Sequence, residues 1–358
     1  MNILQEKCFT KEWLDAQRTN MPRVDPGLLE KSIHALELVG LLAHRELSFS
    51  FKGGTCMLLL LPNIRRLSID VDIACTVPTK ELEPLLRDIA LNSRFESFAV
   101  DSRDPNRLPK RSHYKYTYTS ITNGKPNDIL LDVMEEKCLY PETLTKPVST
   151  PFAVPENHHE VNIPTMECLA ADKLTAFAPA TIGVQYASYG ASMKILKHCA
   201  DVGTLYDHCE SMDAFRKAYD AIWPVENSYR NNAFTREQVL DDTMQAARLI
   251  CMLDLKGCPD SPEIEILRRG IKQLDSHIIG NRFSLGEAKT CAAKAAWLAM
   301  ALKHGTAQDF ARYSIKDLQT LATTPLQNDF APLNRLKSGV PEVYYYWLKT
   351  HHILAEQS

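Results

Sequence analysis

Two aspartates, Asp70 and Asp72, stand two residues apart in Arg66-Leu67-Ser68-Ile69-Asp70-Val71-Asp72. In an extended strand that spacing puts both carboxylates, and Ser68 with them, on one face. Leu67, Ile69, Val71 and Ile73 fill the other face and predict it buried. Two like charges beside an apolar layer are costly unless a cation balances them. Magnesium is the natural partner, a hard ion that takes carboxylates, waters and phosphate oxygens; manganese is the alternative. Upstream lies Gly53-Gly54-Thr55. Glycines let a phosphate approach the backbone closely. A helix starting just after them offers free N–H groups, and Thr55 adds a hydroxyl. A phosphate cradle beside a metal-binding acid pair is equipment for phosphoryl or nucleotidyl transfer from an NTP. Two metals, typically about 3.5–4 Å apart, would activate the attacking oxygen and steady the leaving pyrophosphate. Asp132, in Ile129-Leu130-Leu131-Asp132-Val133-Met134, is the candidate third acid and metal ligand. Glu135 and Glu136 are the alternatives to it.

The elements around these residues follow from periodicity. Leu28–His44 has helical spacing of its apolar residues. Phe49 and Phe51 alternate with polar neighbours and predict a strand that Gly53-Gly54 breaks. Thr55–Leu61 reads as a short buried helix, 66–74 as a strand, and Pro78–Leu91 as an amphipathic helix. Residues 113–134 read as a hairpin, with Tyr114, Tyr116 and Tyr118 alternating along its first arm and a turn at Asn123-Gly124. Past Pro164 the pattern changes. Residues 165–178, 191–209, 235–255, 261–279, 284–304 and 307–322 carry helical patterns, Ser284 with Glu287 marks one start, and strand signals almost vanish. An α+β organisation follows, an N-terminal α/β domain over 1–160 and a mostly helical domain over 161–358. The aromatic run Tyr344–Trp347 is expected in the core of the latter.

The bulk numbers narrow the classes. The chain has 358 residues, 45% hydrophobic and 24% charged, with a formal net charge of -3. It is no polycation, so any grip on nucleic acid must come from a local patch. The longest apolar run, Cys56–Leu61, is far too short to span a bilayer, and the N-terminus lacks the apolar stretch of a signal peptide. No membrane partner and a cytoplasmic location are expected, with the ten scattered cysteines reduced.

Phe51-Lys52-Gly53-Gly54-Thr55 followed by Arg66-x-Ser68-x-Asp70-Val71-Asp72 resembles the signature of the AbiEii/AbiGii-type nucleotidyltransferase toxins, within the polymerase-β-like nucleotidyltransferase superfamily. Every position of that signature is matched. The resemblance covers roughly residues 30–210. It implies a polymerase-β-like core with a mixed sheet and flanking helices. It adds Lys52, Arg66 and Ser68 to the nucleotide-binding set of Gly53, Gly54 and Thr55. Ala171-Asp172-Lys173-Leu174-Thr175-Ala176 resembles the family's lysine motif, which implies that Lys173 contacts nucleotide phosphates. Lys194–Asp207 resembles a later segment in which Asp201 takes the acid position and Lys194 or Lys197 the basic one. Here Ala200 stands where the family commonly has arginine. By this match Lys173 and Asp201 contribute to the cleft from the helical domain.

The resemblance also implies a toxin of a bacterial toxin–antitoxin pair, with a cognate antitoxin protein as partner. Its implied reaction moves a nucleoside monophosphate from an NTP to an RNA, the 3′ end of tRNA first, so blocking translation. Arg103, Arg107, Lys110 and Arg111 are expected to meet RNA backbone. A phosphate placed on Ser68 would disrupt the metal site by added negative charge. The alternatives are a small-molecule or protein acceptor on the same core, or a non-catalytic nucleotide- or RNA-binding module.

Overall fold

The computed structural model describes residues 2–100, 111–305, 307–317 and 325–355. They fall into two compact units, Met1–Thr165 with Ser276–Arg282, and Met166–Asp275 with Phe283–Ser358.

The first unit is built on seven strands: β1 (Ser50–Lys52), β2 (Val71–Ala74), β3 (Ser97–Val100), β4 (Arg111–Thr119), β5 (Pro126–Met134), β6 (Thr143–Pro147) and β7 (Glu160–Pro164). They form one mixed sheet in the order β3-β4-β5-β2-β1-β7-β6. β2 pairs parallel with β5 and antiparallel with β1. β4 and β5 form the expected hairpin, in register from Arg111↔Met134 to Thr119↔Pro126. Strand alternation then sorts the side chains. Phe51, Val71, Ile73, Tyr114, Tyr116, Tyr118, Ile129, Leu131 and Val133 are buried on one face.

Two helices cover that face. α2 (Pro26–His44), preceded by α1 (Lys11–Asn20), starts where Asp25 caps it by accepting from Leu28 N, with Pro at N1. It is buried almost all round, and His34 stacks on Tyr118 with ring centroids 3.7 Å apart. α4 (Thr79–Leu91) accepts the Tyr116 hydroxyl on Leu86 O. Two buried carboxylates of α2 hold chain segments by their backbone. Glu37 accepts from Ile3 N and Leu4 N, and Glu30 from Ile121 N and the Ser120 hydroxyl. Each thereby meets buried donors that would otherwise be orphaned.

Between β1 and β2 lies α3 (Met57–Leu60), a single turn where Thr55–Leu61 was expected. The acid-bearing strand is also shorter than its sequence pattern. It pairs only from Val71, and Arg66 makes an isolated bridge to Ile278. Ser68 and Asp70 therefore sit in the extended approach to β2 rather than within the ladder.

The second unit contains α5 (Met166–Ala176), α6 (Ala191–Tyr206), α7 (Met212–Ser228), α8 (Arg236–Met252), α9 (Pro262–Asp275), α10 (Leu285–His304) and α11 (Pro341–Ala355). No strand occurs in it among the described residues. Ser284 caps α10 by accepting from Glu287 N. Tyr344, Tyr345, Tyr346 and Trp347 of α11 are buried, so the aromatic run is core. The helix expected over 307–322 is absent from its described part. Residues 307–314 are irregular and Ile315–Asp317 is a 3-10 turn. Tertiary anchors explain the departure: the Arg312 guanidinium donates to Tyr206 O and Cys209 O, and the Tyr206 hydroxyl donates to Ala311 O. Residues 318–322 lie outside the described residues.

Candidate active site

β1 ends at Lys52, whose register partner across β2 is Asp72. Asp72 in turn is the partner of Asp132 on β5, and Asp132 of His113 on β4. Register partners share a face, so Lys52, Asp72, Asp132 and His113 form one row across four strands. That row lies on the face opposite the buried tyrosines.

The glycine turn closes on this row. Gly53 has φ of +78°, a left-handed conformation that a side chain disfavours. A Cβ there would lie 2.0 Å from Asp72 Oδ2. The Asp72 carboxylate thus lies directly against the turn. A Cβ on Gly54 would lie 2.7 Å from Ser68 Oγ and 2.9 Å from Arg66 Nη2. Both glycines are required by close approach, and the groups approaching them are the acid, the serine and the arginine of the Arg66–Asp72 segment.

Thr55 is fully buried, and its hydroxyl donates to Asp70 O. Its contact here is to backbone, tying Asp70 to the turn. With α3 only one turn long, little helix dipole stands behind the glycines. Their own N–H groups are what the turn offers a phosphate. Arg66 is buried, with Nη1 donating to Leu67 O at 3.2 Å. Lys52 is buried too, its Nζ 3.7 Å from Glu136 Oε1, 3.3 Å from Met134 Sδ and 5.8 Å from the Tyr140 ring.

Asp132 Oδ1 accepts from His113 Nδ1 at 2.6 Å, and both side chains are largely buried. Since an ionised carboxylate only accepts, the proton of this bond sits on the ring nitrogen. The alternatives to Asp132 are engaged elsewhere. Glu135 accepts from the Thr79 and Ser112 hydroxyls, and Glu136 faces Lys52. Ser68 is 5% exposed and its backbone carbonyl accepts from Ser32 Oγ. Phosphorylation there would need the segment to open first.

Among the described residues no group of three His, Cys, Asp or Glu side chains is arranged to hold an ion alone. The donor set still fits magnesium. That ion keeps several waters and takes one or two carboxylates together with substrate phosphates. Asp72 and Asp132 in register, with Asp70 two residues away, meet that requirement.

In the second unit, α5 and α6 bring Lys173 and Asp201 together. Nζ lies 4.0 Å from Asp201 Oδ2 and both side chains are buried. Lys194, one of the two expected partners of Asp201, is exposed on α6. Of the basic loop, Arg103, Arg107 and Lys110 lie outside the described residues, and Arg111 begins β4 exposed. No described helix is long and apolar enough to cross a membrane. His113 was not marked by the sequence. Its odd-numbered place beside Tyr114, Tyr116 and Tyr118 implies only the opposite face, whereas its meeting with Asp132 depends on hairpin register.

A glycine turn set against an acid-bearing strand, with a third acid in register on the parallel neighbour, belongs to the class of nucleotidyltransferases. The family described as "Nucleotidyl transferase AbiEii toxin, Type IV TA system" matches residues 38–267, well over half of this chain. The chain belongs to that family and is a nucleotidyltransferase toxin. A nucleotide substrate and an antitoxin partner follow from membership. Solved structures similar to it include JHP933 from Helicobacter pylori, at 14% identity and TM-score 0.44, covering 78% of this chain and 93% of that one. Another is titled a putative nucleotidyltransferase from H. pylori, at 14% identity and TM-score 0.42, covering 76% and 92%. A third is an antigenic nucleotidyltransferase-like protein from Paracoccidioides brasiliensis, at 14% identity and TM-score 0.36, covering 57% and 89%. No curated protein matches the chain.

Proposed function

We propose that the chain transfers a nucleoside monophosphate from an NTP to the 3′ hydroxyl of an RNA, tRNA first, and thereby blocks translation. The observation that carries the reading is the Asp72–Asp132 register pair with the Gly53 turn closed against Asp72. The triphosphate lies on the backbone N–H groups of Gly53 and Gly54, with Arg66 beside Gly54 supplying charge. Asp132, oriented by His113, takes the proton of the acceptor hydroxyl. The freed oxygen attacks the α-phosphorus in line, the bond to the β-phosphate bridging oxygen breaks, and pyrophosphate leaves. Asp70, Asp72 and Asp132 would hold magnesium, which supplies charge neutralisation at the α-phosphate and the leaving pyrophosphate. Lys52 is positive charge at the end of the same row. Lys173 is the proposed phosphate contact of the second unit.

The test is incubation of the protein with each α-labelled NTP, magnesium and total cellular RNA. Label is expected in an RNA fraction, lost with EDTA and lost with Asp70→Ala. Transfer by Asp70→Ala at the parent rate would sink the assignment. Label in protein or in small molecules instead of RNA would replace the acceptor.

A further inference from the structure

Beside the Asp72–Asp132 row lies a cleft of about 480 Å³ lined by Lys31, Ile69, Asp70, Ala99, Val100, Lys115, Asp128 and Leu130. Its position is set by the sheet. Lys115 is the register partner of both Leu130 and Ala99. These residues stand two positions along their strands from His113 and Asp132. They are therefore the next row on the same face, about 6.6 Å away. Asp70 bears the same relation to Asp72. A chain molecule whose end reaches Asp132 has its adjoining unit over Leu130.

The lining is chemically divided. Ile69, expected on the buried face but half-buried in the approach to β2 outside the ladder, joins Ala99, Val100 and Leu130 in an apolar floor. Lys115 Nζ lies 2.8 Å from Asp128 Oδ2, and Thr117 donates to Asp128 Oδ1 at 2.8 Å, so the ammonium is fixed in place. Lys31, half-buried at the start of α2, has no carboxylate partner among the described residues. An unpaired cation kept half out of water favours an anion as its partner. A second cation held by Asp128 and an apolar floor fit a ring beside a phosphate.

We infer that this cleft is the acceptor subsite, in which Lys31 and Lys115 bind the last phosphodiester of a single-stranded RNA 3′ end and the apolar floor supports its base. The inference rests on the nucleotidyl-transfer reading for the identity of the neighbouring row. An apolar floor without hydrogen-bonding groups tolerates any base, so sequence preference at this position is weak.

The test is fluorescence anisotropy of the full chain, without NTP, with a short single-stranded RNA labelled at its 5′ end and bearing a free 3′ hydroxyl. Lys31→Gln, Lys115→Gln and the double variant are compared with the parent. Each single change is expected to weaken RNA binding about three- to tenfold. Each should also flatten the slope of log Kd against log salt by about 0.7. NTP affinity should stay within twofold. Unchanged RNA affinity and slope would overturn the subsite, as would a parent chain that binds no RNA. An equal loss of NTP affinity would also overturn it, by making the cleft part of the nucleotide site. Should Lys115→Gln unfold the protein, Lys31→Gln alone decides. Lysine-dependent RNA binding without label transfer to RNA would keep the cleft as an RNA site, overturn it as the acceptor subsite, and count against RNA as the acceptor.

Discussion

At Gly53 one missing methyl group holds the site together. An alanine there must adopt φ near +78° and place its Cβ on the Asp72 carboxylate. The backbone term alone costs about 1–2 kcal/mol. Displacing the carboxylate costs more in function, since about 1 Å of misplacement removes roughly 100-fold in rate. Gly53→Ala is therefore expected to lower the melting temperature by about 3–6 °C and label transfer by at least about 100-fold. Thermal melting and transfer assays on one preparation check it. A lowered melting temperature with transfer near the parent rate would mean that Asp72 need not stay where the turn holds it. This much of the site was legible in sequence, because two glycines and the Asp-x-Asp spacing are local features. The motif suggests a phosphate contact for the Thr55 hydroxyl, whereas in the fold it donates to Asp70 O. The family resemblance puts Lys52 in the nucleotide-binding set, and in the fold its ammonium faces Glu136. Those contacts depend on which strands become neighbours, as does the bond between His113 and Asp132.

Between elements, the pair of Lys173 on α5 and Asp201 on α6 separates two roles that the sequence could not. Each side chain is almost entirely out of water, and they lie 4.0 Å apart. Removing one partner takes the neighbouring opposite charge from a buried one, at about 3–5 kcal/mol, whereas replacing both with apolar residues of similar volume is often near neutral. Lys173→Met is thus expected to destabilise the second unit by about 3–5 kcal/mol, and Lys173→Met with Asp201→Leu to recover most of that. Urea unfolding followed by far-UV circular dichroism reads both. If Lys173 contacts phosphate, the double variant stays folded yet fails to bind NTP. NTP affinity retained by the double variant would make the pair structural only. The helices carrying these residues were readable because their apolar periodicity is a local signal that no tertiary contact overrides there. β6 was not, being exposed along most of its length and formed by pairing with β7. α7 repeats Met212, Phe215, Ala218, Tyr219 and Ile222 at helical spacing, yet Pro224 and the polar residues near its end mask it. The stretch after residue 307 fails in the opposite direction, where Arg312 and Tyr206 outweigh local helix preference.

At the scale of the whole molecule, one source of acid sensitivity is His34 of α2. Burial pushes His34 down to about 3, against the partly restoring hydrogen bond from its Nδ1 to Glu30 O. Between about pH 3 and pH 6.5 the unfolded chain binds a proton here that the folded chain does not. Its contribution to stability is therefore fully present above pH 6.5 and is lost as pH falls toward 3. The slope reaches about 1.4 kcal/mol per pH unit. Glu37 acts in the opposite sense. Burial raises it, so the folded chain keeps that proton above the ordinary carboxylate range and its contribution weakens as pH rises through there. The two effects overlap, and a single substitution separates them. His34→Phe preserves an aromatic ring against Tyr118 and removes the titration, at the cost of the bond to Glu30 O. Native-state hydrogen exchange at α2 amides, measured from pH 4 to pH 7, reads the first unit by itself. The parent is expected to lose protection steadily below pH 6.5. His34→Phe should show a flatter profile, less protected than the parent at pH 7 and closer to it at pH 4. Parallel profiles would mean that His34 is protonated in the folded chain. Its place between Tyr118 and the α2 backbone would then have to accommodate a charge that this packing excludes.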